Sequence, residues 1–405
     1  MRAETAQRSG LPALTGARFF AAFSVVVYHY GSAALEPVSP LLARMSAVGP
    51  AAVSFFYVLS GAVLTWGCTD ADGRLRRPTF VFWGQRAARI LPAYLLALLL
   101  SAVPFSLQVL KLHPGAGGAF RVAIGLGSAL LLVQTLWPQI AAGPNVPGWS
   151  ISCEAFFYAV WPRLVSWRRP SRPGLPWRAG LWLWAAALAP TAIGLCLLAT
   201  GALPAGAFAT LVEDVSAGEL LARTLTYFPP LRLPEFALGI ALGHALKSTP
   251  ERPRSVAADT LREAALLAIL LAAGLALGLG LPSRLIGLPL ADRIVIEGGS
   301  LAPIFALWVW QLARGRGLGQ RLLSTPALLG LGEASYALYI LQEPLFVWLT
   351  AALKRSAPAA MRHWTLTFWG YAALLVVASV AVHKLVELPL RQRLLARLSP
   401  RPGAA

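Results

Sequence analysis

The chain has 405 residues, 57% hydrophobic and only 13% charged, with a mean hydropathy of +0.63. Soluble globular chains average about 45–50% apolar and about 25% charged residues, so a soluble fold, a disordered chain and a disulfide scaffold are excluded and a membrane protein is indicated. Thirty-five Lys and Arg against 17 Asp and Glu give a net charge of +18. The cations lie in short connections between apolar runs, where they report orientation rather than binding of nucleic acid.

Eleven stretches approach spanning length: residues 13–34, 48–67, 87–106, 119–138, 149–166, 179–201, 226–246, 263–281, 295–314, 333–353 and 364–386. The first carries Arg18 and His29 and is long enough to span, so it reads as a retained helix rather than a signal peptide. Four connections are strongly basic and should face the cytoplasm: Arg74, Arg76, Arg77, Arg86 and Arg89; Arg163, Arg168, Arg169, Arg172 and Arg178; Arg314, Arg316 and Arg321; and the tail with Arg391, Arg393, Arg397 and Arg401. An odd number of stretches separates the first two, so one must fail to cross. The weakest is 119–138, which follows Gly117-Gly118, carries Arg121 and has Gly125, Gly127 and Ser128 in its middle, a composition suited to a segment covered by protein.

The expectation is therefore all-α and polytopic, with about ten transmembrane helices plus one re-entrant or tilted segment. The membrane domain is 11–394, flanked by cytoplasmic tails 1–10 and 395–405 in a multi-pass inner or plasma membrane protein. The connection around Glu213, Asp214 and Glu219 falls outside and that around Glu251, Arg252 and Arg254 inside, while Lys354, Arg355 and Arg362 are basic yet placed outside. Cys68, Cys153 and Cys196 are odd in number and lack CxxC spacing, so neither a metal site nor a disulfide framework is expected. Trp149, Trp161, Trp167, Trp177 and Trp182 lie near expected helix ends and read as interface anchors.

Ionisable residues inside a bilayer cost about 2.5–3.5 kcal/mol each on insertion scales, so each needs a reason. In LPALTGARFFAAFSVVVYHYG, Arg18 and His29 are separated by ten residues. A regular helix places them about 16 Å apart on nearly one face. A cation at the mouth with an imidazole below it suits a long ligand with an anionic end; the alternative is a snorkelling Arg18 and a packing His29.

Seven motifs in order resemble the acyltransferase-3 family of membrane-bound O-acyltransferases over residues 11–394. They are the Arg18/His29 pair; VSFFYVLSGAVL with Ser60 and Gly61; WGQRAARILPAY with Arg86, Arg89 and Pro92; and NVPGWSISCEAFFYAVWP with Trp149, Ser150 and Glu154. LRLPEFALGIALG with Arg232, Glu235, Phe236 and Gly239, GEASYALYILQEPL with Ser335, Tyr336 and Pro344, and VELPLRQRL with Glu387, Pro389 and Arg391 complete the set. Gln342 stands where many members have His, and it cannot act as a base. LTGARFFAA and SYALYILQ resemble the branch that acylates sugars of macrolide antibiotics. No hydrolase-like domain of the kind fused to some polysaccharide-modifying members is expected after the last helix.

The resemblance implies transfer of an acyl group, acetyl or short acyl, from acyl-coenzyme A to a hydroxyl of a carbohydrate-bearing acceptor, without a metal. Arg86 and Arg89, three apart on one face, would grip the donor's phosphates with Arg18, or merely anchor the helix. His29 would act as general base, with an acyl-histidine intermediate as rival. Glu154 would orient the imidazole or hold the acceptor, or else cap a helix or pair with Arg232. Trp149, Ser150, Arg232 and Glu235 are candidate acceptor-binding residues, although Arg232 and Glu235 also suit an ion pair with each other.

Ser60-Gly61 and Ser335-Tyr336 read as tight helix contacts, His244 as packing, and Glu387-x-Pro389-x-Arg391 as helix termination. Glu343, mid-span, must be protonated, paired or facing a cavity. Two other classes fit polar residues inside a bundle. One is a transporter or flippase, which predicts broken helices in matching halves; the other is a non-catalytic scaffold, which leaves the buried charges unexplained.

Overall fold

The computed structural model describes residues 11–70, 72–166, 177–204, 206–250 and 255–398. Trp167, Arg168, Arg169, Arg172, Glu251, Arg252, Arg254, Arg401 and the N-terminal tail lie outside them. The principal helices are α1 (Pro12–Val26), α2 (Ala52–Cys68), α3 (Thr79–Leu112), α4 (Ala116–Leu130), α5 (Gly148–Ser166), α6 (Trp177–Ala199), α7 (Ala217–Tyr227) and α8 (Pro229–Ser248). They continue with α9 (Val256–Gly278), α10 (Ala291–Glu297), α11 (Ala302–Arg314), α12 (Leu318–Leu323), α13 (Pro326–Glu333), α14 (Ser335–Ser356), α15 (Trp364–Val382) and α16 (Leu388–Leu398). Two π-helical turns, Val27–Gly31 and His383–Glu387, prolong α1 and α15. Among the described residues one two-stranded hairpin, β1 (Ala207–Ala209) with β2 (Asp214–Ser216), qualifies the all-helical expectation. Among the described residues seven helical segments are long and apolar enough to cross a membrane. Their apolar faces are what makes this a membrane protein, since α6 and α9 bury little of their hydropathic windows, 6% and 11%.

The segment expected not to cross behaves as a half-crossing. Helix α4, 15 residues long, reaches about 22 Å, short of the roughly 30 Å hydrocarbon core. It packs antiparallel along the C-terminal half of α3: a Cβ on Gly125 would collide with the Phe105 ring, and Tyr94 Oη donates to Ala129 O at 2.7 Å. The chain then turns at Leu132, whose φ of 58° is left-handed. Helix α5 takes up the same antiparallel course along the N-terminal half of α3, where Trp161 stacks on Phe82 and Trp83 Nε1 donates to Tyr158 O. The helices of stretches 119–138 and 149–166 thus lie end to end along the two halves of the 34-residue α3. Non-helical backbone at that depth is tolerated because it is buried in protein: Gln134 Nε2 donates to Gly148 O, Thr135 and Ser152 hydroxyls bond at 2.7 Å, and Asn145 Nδ2 donates to Ile340 O.

Helices α2 and α8 run parallel with backbones nearly touching. A Cβ on Gly61 would strike Phe236 O, one on Gly239 would strike Val58 O and one on Gly243 would strike Ala62 O. Gly239 and Gly243 form a G-x-x-x-G face, the small-residue device by which membrane helices approach closely. Replacing Gly239 with leucine should therefore lower the melting temperature in detergent, at a cost of at least about 1–3 kcal/mol. Gly127→Leu is the matched control, since nothing lies within 4 Å of a Cβ there, and its melting temperature should not move. Gly16 and Gly332 make a similar contact, packing α12 and α13 against the start of α1 at the Arg18 end.

At the opposite end the hairpin lies on α3 and α4, with Arg121 donating to Thr210 O and His113 Nε2 at 2.8 Å from Val212 O. Nearby, Glu219 pairs with Arg293 at 2.8 Å and Arg223 at 3.0 Å. Burial is the largest single influence on this carboxyl and raises it. The two guanidiniums together outweigh that and hold it below the usual glutamate range. Two of the expected interface tryptophans are core residues instead: Trp161 is 0% exposed and Trp149 9%, whereas Trp182 is 76% exposed as anticipated. The apolar aromatic surfaces of α3 and α7 recruit the first two inward. Trp177's side chain lies outside what the structure describes.

Candidate active site

Both residues of the leading motif look toward α5, but at different levels. Arg18 is within electrostatic reach of Arg89, Glu154, Tyr158 and Glu387. Its neighbourhood is a knot of charge at one end of the bundle. Glu154 accepts hydrogen bonds from Ser60 Oγ at 3.1 Å and from Tyr158 Oη, so Ser60, beside the tight contact at Gly61, hydrogen-bonds this carboxylate. Arg86 packs its guanidinium against Phe82 and Tyr158, 5.8 and 5.9 Å from the ring centroids. Its Nε is buried without a hydrogen-bond partner.

The C-terminal motif joins this knot, contrary to its reading as a simple helix stop. The helix runs on from α15 through the π turn and past Pro389 into α16, a π turn being a local widening of the kind found beside such a break in the hydrogen-bond ladder. Glu387 is 7% exposed and bonds His383 Nδ1 at 2.7 Å. Arg391 lies within reach of Arg89, Arg86, Glu387 and Glu333. Four guanidiniums, Arg18, Arg86, Arg89 and Arg391, therefore share one region with three carboxylates, Glu154, Glu387 and the exposed Glu333, which leaves a surplus of one positive charge. Sequence spacing pointed to the first three. Arg391 was visible as a residue of the closing motif and one of several tail cations, but was read as part of a helix end.

His29 lies in the π turn, a local widening often found at functional positions. One extra residue per turn changes the register that a uniform helix would have given, yet the imidazole still faces the start of α5. It lines a cavity of about 50 Å³ with Tyr28, Val146, Trp149, Tyr227 and Tyr339. That volume accommodates a water or two rather than a sugar. His29 is nevertheless exposed, and among the described residues it makes only ring contacts, with Tyr28 and Tyr30 at 5.1 and 5.8 Å. Glu154 is not its orienting partner, because the hydrogen bonds of that carboxylate are to Ser60 and Tyr158, one level toward Arg18.

The wall of the cavity is rigid. Trp149 packs on Tyr227 at 4.8 Å and on the Arg232 guanidinium at 5.8 Å. Ser150 Oγ lies 2.9 Å from both Pro147 O and Tyr339 Oη, so its hydroxyl is committed to structure. Glu343, left open by sequence, accepts from Val146 N–H and so ties α14 to the insert between α4 and α5. Gln342 Nε2 donates to Tyr339 O while its backbone carbonyl accepts from Tyr371 Oη.

Arg232 and Glu235, 1% and 2% exposed, resolve in favour of pairing. The fork is bidentate, with Nε–Oε1 at 2.5 Å and Nη2–Oε2 at 3.1 Å. The remaining guanidinium donors go to Thr226 O, Glu297 O and Ser54 Oγ. Arg232 also lines the cavity, but its guanidinium donors are all taken up inside the protein, so the pair supports the cavity wall. Glu154 likewise pairs elsewhere than with Arg232.

The family model described as the acyltransferase domain matches residues 11–383. The chain is also similar to a protein named acyltransferase MdmB from Streptomyces mycarofaciens, at 33% identity over 402 residues, covering 96% of this chain and 94% of that protein. No solved structure matches.

Proposed function

The chain belongs to this acyltransferase family, and we propose that it moves an acyl group from acyl-coenzyme A to a hydroxyl of a carbohydrate or glycosylated metabolite. The observation that carries this reading is the division along α1: surplus positive charge around Arg18 at one level, an accessible imidazole in an aromatic wall at another. A donor with a phosphorylated nucleotide at one end and a thioester on a long arm at the other fits that division. The Arg18 end is then cytoplasmic, as are both termini, and the membrane is the inner or plasma membrane. The number of full crossings is about ten when the α4–α5 pair counts as one traverse. Residues 11–394 act as one catalytic unit.

In this mechanism His29 takes the proton of the acceptor hydroxyl as the oxygen attacks the thioester carbonyl. The carbon–sulfur bond breaks, and the imidazolium returns its proton to the departing coenzyme A thiolate. Trp149 and Tyr227, packed on one another, form the wall behind the imidazole, and Ser150 holds that wall in place. A family of acyltransferases does not favour the transport reading.

The test is turnover by purified protein supplied with acyl-coenzyme A and candidate glycosides, with the ester detected by mass spectrometry. Arg89→Ala should raise KM for the donor about 10- to 100-fold, with kcat much less affected, because a charge-assisted phosphate contact is worth about 1.5–3 kcal/mol. An unchanged donor KM in both Arg89→Ala and Arg18→Ala would remove the phosphate-gripping role.

A further inference from the structure

A second cavity lies away from the Arg18 and His29 site. It is a groove of about 1100 Å³ between the start of α9 and the end of α11, floored by the connection into α12. Helices α12 and α13 pack on the first turns of α1, so the groove opens at the Arg18 end of the bundle. Four arginines line it: Arg262, Arg314, Arg316 and Arg321. Arg262 is bound to Asp259 at 2.8 Å. Arg314 is held over the Trp310 ring, 5.5 Å from its centroid, and donates to Leu246 O and Thr249 O. Arg316 and Arg321 are exposed, and among the described residues neither guanidinium has a partner.

The local acids are already engaged. Asp259 binds Arg262 and also accepts the Arg316 N–H, and Glu263 accepts the N–H groups of Gly319 and Gln320 at the start of α12. The groove therefore presents unneutralised positive charge on a backbone scaffold fixed by carboxylates. Its other wall is apolar, formed by Leu266, Leu307 and Trp310. Leu307 is 58% exposed, and α9 turns most of its length outward, with 11% of its apolar window buried. Charge at the membrane surface thus continues into a face that lies against lipid tails.

We propose that this groove is a binding site for an anionic phospholipid taken from the surrounding leaflet. The phosphate sits on Arg316 and Arg321 with Arg314 behind it, and an acyl chain runs along Leu266, Leu307 and Trp310. Juxtamembrane cations attract anionic lipid with about 1 kcal/mol each, and a guanidinium fork matches a phosphate bidentately. The access route selects the occupant, because a groove open to the bilayer is filled from it. The site stands apart from the Arg18, Arg86 and Arg89 cluster and holds whether or not that cluster takes coenzyme A.

The full-length protein in nanodiscs of phosphatidylcholine with a minority of phosphatidylglycerol should retain phosphatidylglycerol through detergent extraction, as read by native mass spectrometry. The double variant Arg316→Gln/Arg321→Gln should retain about 30-fold less, with an unchanged melting temperature because both side chains are exposed. Leu307→Glu should also reduce retention, through the apolar wall. Equal retention by wild type and the double variant would overturn the proposal. So would displacement of the lipid by coenzyme A, which would assign the groove to the donor, or by inorganic phosphate alone, which would make it a simple anion site.

Discussion

Replacing His29 with alanine is expected to lower kcat by about 10²- to 10⁴-fold, the usual contribution of a positioned base, with little change in melting temperature. Retention of the fold follows from the contacts. Among the described residues the imidazole forms no hydrogen bond and meets only Tyr28 and Tyr30, so its removal leaves no buried polar partner unsatisfied. His29→Gln keeps a hydrogen-bonding side chain of similar reach but cannot accept a proton near neutral pH, and it should be as impaired as alanine. Full activity in either variant would end the mechanism. Labelled acyl-coenzyme A added without acceptor separates the two covalent possibilities: label remaining on wild-type protein and absent from His29→Ala favours an acyl-histidine intermediate over direct base catalysis.

The Arg18 and His29 pair was legible because a charge inside an apolar run is costly and two such residues at a fixed spacing demand a shared cause. The inference that both face one neighbour survives the π turn, since both look toward α5. Depth was less legible. Glu154 and His29 fall at different levels because α5 begins halfway along α3 rather than at a membrane surface, and hydropathy alone gives no sign of a helix that starts there.

The charge parity argument did locate the anomaly. An odd number of stretches between basic connections required one to fail, and Gly125, Gly127 and Ser128 marked where. What composition could not reveal was that the short helix and its successor would lie end to end along α3, since that depends on the left-handed turn at Leu132 and on hydrogen bonds from Gln134 and Asn145. The C-terminal motif was misread for a related reason. Pro389 followed by basic residues is the ordinary signature of a helix end, and only the π turn before it shows Glu387 and Arg391 directed into the charged knot.

The Arg232–Glu235 pair supplies the second large effect. Arg232→Met should destabilise the protein by about 3–5 kcal/mol, the cost of leaving a buried carboxylate without its counter-charge, measured as a lowered melting temperature in detergent. The loss reaches beyond one pair, because Arg232 also holds Thr226 at the end of α7, Glu297 at the end of α10 and Ser54 on α2, and Trp149 rests on its guanidinium. Activity should fall with stability, since the wall of the His29 cavity is built on these bonds. The double variant Arg232→Met/Glu235→Leu discriminates between support and substrate binding. Removing both charges removes the orphan, so a supporting pair recovers much of the lost melting temperature in the double variant, as buried ion pairs replaced by apolar residues of similar volume often do. A substrate-binding pair would behave in the opposite way: each single variant would keep its melting temperature and raise the acceptor KM, and the double variant would be worse than either. Twin hydrogen bonds within the fork and exposures of 1% and 2% place the expectation with support.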